Sequence, residues 1–169
     1  KSGLTEIKRE IDEWADPAGG MQESPHYSML ILDHWLGACL AARNAGSPEA
    51  GYLFDEGIRK ASLWFANIST PRGPNGFRRL PSLGHTYSNE STSTFGLLAY
   101  LWQDKDRNFA SNMQWMHREH GSFHEPGIKS YYPALMGYRT LLLDKTIPAK
   151  PPTLGSAVYP ETGVLLRNT

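Results

Sequence analysis

Gln22–Gly46, QESPHYSMLILDHWLGACLAARNAG, is the clearest helix in the sequence, and its reading decides the fold. Ser24 is a natural N-cap and Pro25 suits the first helical position. Asn44 or Gly46 closes the helix about twenty residues later. Apolar residues cover most of its circumference (residues 29–32, Leu36 and 38–42), which predicts burial between other helices. Such a segment needs helical neighbours, and the flanking sequence supplies them.

Upstream, residues 1–15 read as a helix with Leu4, Ile7, Ile11 and Trp14 on one face at spacings of three and four, ended by Asp16-Pro-Ala-Gly-Gly20. Downstream, residues 50–68 give a third helix carrying Leu53, Phe54, Ile58, Ala61, Leu63, Trp64 and Phe65. Residues 69–93, rich in Gly, Pro, Ser and Asn, form a long loop, and a loop of that length in a compact domain is usually functional. Helices follow over 94–103, 108–119 and 133–143, with a loop over 120–130 between the last two. IPAKPPTLG, residues 147–155, is a Pro-rich connector. SAVYPETGVLLRN, residues 156–168, reads as a turn and the first strand of a β region. The fold class is therefore mainly α. We expect a helical portion over 1–145, a linker over 146–157 and the start of a β domain over 158–169.

Composition bounds what such a chain does. The 169 residues hold 17 Lys+Arg against 17 Asp+Glu, so there is no basic excess for non-specific nucleic-acid binding. Hydrophobic residues at 40% exclude disorder, and no apolar run is long enough to span a membrane. The single Cys39, inside LGACLAA, excludes an internal disulfide and reads as a buried thiol. The chain opens at KSGLTEIKRE without Met or a signal-peptide pattern and stops soon after a strand-like run begins. Both ends look cut, which predicts a piece of a longer protein.

The start of the central helix carries the chemistry. Glu23, His26 and Tyr27 stand at its N-terminus, and His34 shares Tyr27's face two turns on. The positive end of the helix macrodipole and the unpaired N–H groups of the first turn favour negative charge there, on a phenolic oxygen or on a bound anion. The plainer reading of Tyr27 is an aromatic packed on the preceding loop.

GGMQESPHYSMLILDHWL, residues 19–36, resembles the segment that opens a toroid helix in heparinase II/III-like polysaccharide lyases and the related oligoalginate lyases. Those families carry their catalytic tyrosine where this chain has Tyr27. YPETGVLLRN, residues 159–168, is similar to the start of that superfamily's β-sandwich. The resemblance implies the C-terminal part of an (α/α) toroid followed by the start of an antiparallel β-sandwich. It also implies cleavage of uronate-containing polysaccharide or oligosaccharide by β-elimination, in a secreted or periplasmic bacterial enzyme. The family's carboxylate-neutralising Asn, often followed by His, lies further upstream of the tyrosine than the 26 residues present here, and its later histidine lies beyond Thr169. The chain alone is therefore expected to be inactive. No cofactor or metal is expected within it, a metal in the β domain stays open, and so does the oligomeric state.

Other residues are candidates for holding an acidic glycan. Arg78 and Arg79 suit bidentate contact with carboxylate or sulfate. His85, Tyr87 and Asn89 alternate, so an extended segment projects them together. Their plain reading is a surface loop with solvated arginines. Tyr131, with Tyr132, sits beside a loop and suits a sugar-stacking position, whereas Trp102 and Trp115 at helical spacing read as core. His117, His120, His124 and Glu125 resemble a zinc set by residue type but fit no ligand motif, and a polar helix end is the simpler account.

Two other functions fit the same composition. A toroid glycoside hydrolase needs two facing carboxylates, for which Glu23 and Asp33 are the nearest pair. A non-catalytic carbohydrate-binding helical domain needs neither carboxylate nor Tyr27.

Overall fold

The computed structural model describes residues 3–84, 93–120 and 142–165, and it is mainly helical. Five α-helices run in chain order: α1 (Gly3–Trp14), α2 (Pro25–Asn44), α3 (Glu56–Ile68), α4 (Ser93–Trp102) and α5 (Arg107–Glu119). A 3-10 segment, Pro48–Phe54, precedes α3, and two short strands, β1 (Ala157–Tyr159) and β2 (Gly163–Leu165), close the described chain. The described residues form two compact units, one from 3–65, 82–84 and 155–165, the other from 66–81, 93–120 and 142–154.

In the first unit α2 starts and stops where its sequence dictates. Ser24 caps it, its hydroxyl accepting from the Tyr27 N–H at 3.4 Å, and Pro25 stands in the first turn. At the far end the amides of Ala45, Gly46 and Ser47 turn back onto the carbonyls of Ala41, Arg43 and Ala42. Met29, Leu32, Trp35, Leu36 and Cys39 are buried, three and four residues apart, while Leu30, Ile31 and Leu40 stay half-buried. One stripe therefore faces the core, and the apolar cover of the opposite side is only partial. Trp35 stacks on Tyr52 of the 3-10 segment at 6.0 Å. α1 departs from expectation more clearly: Ile11 is buried, but Ile7 and Trp14 on the same face are 38% and 40% exposed.

The helix expected over 50–68 is two elements. Asp55 takes extended backbone angles, and its Oδ1 accepts the Gly57 N–H at 2.7 Å, so it caps a new helix inside the apolar pattern. Lys8 of α1 holds the same carboxylate at 3.4 Å. The segment read as one strand is a hairpin: Ala157 pairs with Leu165, Val158 with Val164 and Tyr159 with Gly163, and the Thr162 amide bonds to Tyr159 O at 3.0 Å.

The second unit is built on α4 and α5. Ser93–Ala99, Leu101 and Trp102 are buried, so α4 is enclosed on nearly every side. Trp102 meets Phe109 of α5 edge-on at 4.7 Å. Asp106 caps α5, accepting the Asn108 and Phe109 amides at 3.0 Å each. Of the sixth expected helix only Leu142 and Leu143 are described, and they are not helical.

Cys39 is wholly buried, and burial pushes its thiol up to about 11. Iodoacetamide at pH 8 is expected to leave the native protein unlabelled and to label it once urea unfolds it. Mass spectrometry reads this directly, and labelling at the same rate with and without urea would contradict the buried position.

Candidate functional site

The turn before α2 is fixed before the helix begins. Asp16 is buried, and its Oδ1 accepts the Ala18 N–H at 2.6 Å while its Oδ2 accepts the Glu161 N–H at 3.3 Å. The Asp16 amide bonds to Gly20 O and the Gln22 amide to Trp14 O. Lys60 reaches from α3 to Pro17 O at 2.9 Å. Two glycines let this happen. A Cβ on Gly19 would meet the Lys60 carbonyl carbon at 2.7 Å, and one on Gly20 would meet Tyr159 Cβ at 2.8 Å and overlap the Thr162 hydroxyl. The turn is thus clasped between α3 and the hairpin.

From that base the chain rises into the first turn of α2. The Glu23 carbonyl accepts the hydroxyl of the buried Ser28 at 3.1 Å, which fixes the backbone at the helix entrance. Glu23 is exposed, His26 half-buried and Tyr27 40% exposed. The His26 and Tyr27 rings meet edge-on with centroids 5.2 Å apart. His34 is exposed two turns further on, its Nδ1 2.8 Å from Leu30 O. The structure therefore brings Glu23, His26 and Tyr27 together, Tyr27 outward from a helix whose opposite stripe is core. Gly84, the last described residue of the long loop, lies against Ser24, a Cβ there standing 3.3 Å from Ser24 Cβ. His85, Tyr87, Asn89 and Tyr131 lie outside the described residues, as do Tyr132, His124 and Glu125.

Arg78 and Arg79 belong to the second unit. The loop folds on itself there: the Thr70 amide bonds to Arg79 O at 2.9 Å and the Gly73 amide to Phe77 O at 2.9 Å. This sets Arg72 beside Arg78, and both grip one carboxylate. Glu119 accepts from Arg72 Nε at 2.9 Å and from Arg78 Nε at 3.1 Å, with a second Arg72 bond of 2.5 Å to its other oxygen. Arg78 also donates to Thr70 O and lies over the Trp115 ring at 5.3 Å. It is not a solvated loop arginine. Hydrogen bonds from Arg72 hold the Glu119 carboxyl below its ordinary range. The sequence reading missed Arg72, Glu119 and the seat on Trp115. The signal was PRGPNGFRR, whose paired Gly and Pro residues turn Arg72 back toward Arg78.

His117 and His120, considered above as metal ligands, sit within this second unit. His117 is fully buried beside Gly96, where a Cβ would come within 3.2 Å of its ring. His120 Nε2 is 3.1 Å from the Ser69 hydroxyl. Among the described residues no group of three or more His, Cys, Asp or Glu is placed to hold a metal ion. Burial pushes the His120 imidazole down to about 3, helped by the nearby Arg78 charge. The folded state thus holds His120 neutral, while the unfolded chain takes up a proton below about 6.5. Stability from this residue is complete above that pH and is lost as pH falls from about 6.5 toward 3, by about 1 to 3 kcal/mol. Urea midpoints of wild type and His120→Gln, measured from pH 7 to 4, are expected to converge as pH falls; a constant difference would contradict a neutral ring in the folded state.

Compared with protein-family models, with curated proteins and with solved structures, the chain finds no match.

Proposed function

We propose that this chain is part of a lyase that cleaves uronate-containing acidic glycans by β-elimination, with Tyr27 as general acid and base. One observation carries the reading: Tyr27 stands outward on the first turn of a helix with a buried stripe, above a turn clasped from two sides. A proton-transfer group must be held in place and yet reach its substrate, and this position offers both. The resemblance of residues 19–36 to the toroid-helix start of heparinase II/III-like lyases supports the same assignment, with a toroid and a β-sandwich as the finer architecture.

The reaction sets the demands. A base takes the C5 proton of the uronate, the electron pair forms a C4–C5 double bond, and the C4–oxygen bond breaks. The departing oxygen receives a proton, either the one just taken or one from solvent. Negative charge builds beside the uronate carboxylate, so hydrogen bonds or cations must neutralise that carboxylate. Under this reading that neutralising group, an Asn often with a His, stands outside Lys1–Thr169, as does a further histidine of the β domain. Glu23 and His26, beside Tyr27, are the described candidates for contact with the glycan.

The hydrolase alternative is weakened by burial. Asp33 is 5% exposed and Glu23 is exposed at the helix entrance, so the two carboxylates do not share a surface. The test is to incubate the full-length protein with heparan, alginate and ulvan and follow absorbance of the unsaturated product near the ultraviolet edge. A rising signal, lost in Tyr27→Phe, is expected. Saturated products would indicate hydrolysis, and binding without turnover would indicate a carbohydrate-binding domain; either overturns the proposal.

A further inference from the structure

The second unit contains a cleft of about 550 Å³ that the reading above leaves unused. One wall is the start of α5; the other is the segment 146–150. That segment is strapped along the helix. Gln114 Nε2 donates to Asp144 O at 2.9 Å, Asn112 Nδ2 donates to Lys150 O at 3.1 Å, and the Lys150 amide donates to Ser111 O at 3.0 Å. Gln114 and Asn112 are buried, and buried amides that lose their partners are costly, so the wall is held in place. The cleft is a built feature of the unit.

Its lining has a definite chemistry. Arg107 and Lys150 stand at the mouth as two positive charges against the single carboxylate of Asp104. Ser111 lies deeper and is 6% exposed, and its hydroxyl has no hydrogen-bond partner among the described residues. A serine within a helix ordinarily satisfies its hydroxyl on the carbonyl one turn back, as Ser62 does with Ile58 O at 2.7 Å. Ser111 does not, so as a lining residue of the cleft it has a hydroxyl to offer an occupant. Ile147, buried, gives the cleft an apolar side. The helix terminus is not the attraction for an anion, because Asp106 already accepts the Asn108 and Phe109 amides.

We infer that this cleft binds a small hydroxylated acid, a single sugar ring bearing a carboxylate, with the carboxylate between Arg107 and Lys150 and a ring hydroxyl on Ser111. A cleft of this volume lies within the ordinary range for small-molecule sites, and one ring fits with room for water. The inference does not depend on any role for Tyr27.

The test is calorimetric titration of the full-length protein with sodium glucuronate, with glucose and sodium acetate as comparison probes. Saturable binding of glucuronate is expected, with glucose and acetate each at least about tenfold weaker, since each lacks half of the recognition. Arg107→Gln and Ser111→Ala are each expected to weaken glucuronate about five- to tenfold, and Arg43→Gln, an exposed arginine outside the cleft lining, to leave it unchanged. Arg107 is exposed, so its variant tests binding with no core residue altered. Absence of saturable binding, glucose or acetate binding as tightly as glucuronate, or an unchanged affinity in Arg107→Gln overturns the inference. A loss confined to Tyr27→Phe would place the binding at the α2 entrance and overturn it equally.

Discussion

Tyr27→Phe is expected to lower turnover of a uronate glycan at least about a hundredfold while leaving the fold intact, because a positioned acid/base contributes roughly 10²–10⁴ to such a step. The substitution removes one oxygen and keeps the ring, including its edge contact with His26. Tyr27 is 40% exposed, so deleting its hydroxyl creates no core cavity, and stability should change by no more than about 0.5 kcal/mol. Activity and stability therefore separate in this variant. The decisive measurement pairs the rate of unsaturated-product formation with a urea melt. A full rate in a folded variant removes Tyr27 from the chemistry. A lost rate together with a lost fold would mean that the Tyr27 hydroxyl is a structural group rather than a reacting one.

What the sequence made legible follows the range of the forces involved. The Ser24 cap, Pro25 in the first turn and the stop after Asn44 are local chemistry, and the structure has each where the pattern puts it. The break at Asp55 is local too, but apolar periodicity on both sides masks it, and only the Asp-Glu-Gly step marks a second helix start. Burial along α1 was not legible. Ile7 and Trp14 satisfy the helical spacing, yet which part of an apolar face is covered depends on partners remote in sequence. Arg78 is the clearest case at the candidate site. Its type suits an anion, but its anion is Glu119, 41 residues away, and its seat is Trp115. Ser111 was passed over because a serine inside a helix carries no signal until its hydroxyl is seen to lack a partner.

The Asp16–Gly20 turn joins local and remote constraints, and Gly19→Ala is expected to expose this, costing about 3 to 4 kcal/mol of folding stability. Two effects add. Gly19 has φ of +97°, a backbone state that side-chain-bearing residues reach only with strain of about 1–3 kcal/mol. A methyl group there would also stand 2.7 Å from the carbonyl carbon and oxygen of Lys60, and helix backbone does not yield as a flexible side chain does. Either α3 shifts away from the turn or the turn opens. Opening it disturbs the Asp16 bonds to Ala18 and Glu161, and with them the base on which Glu23, His26 and Tyr27 stand. The variant should therefore lose stability and activity together, in contrast to Tyr27→Phe. Gly3→Ala is the control, since a Cβ there meets nothing within 4 Å and a helix favours alanine over glycine. Urea denaturation of the three proteins decides the matter. A Gly19→Ala midpoint within about 1 kcal/mol of wild type would mean that α3 and the turn are not in the contact described, and that Tyr27 is not held from that side.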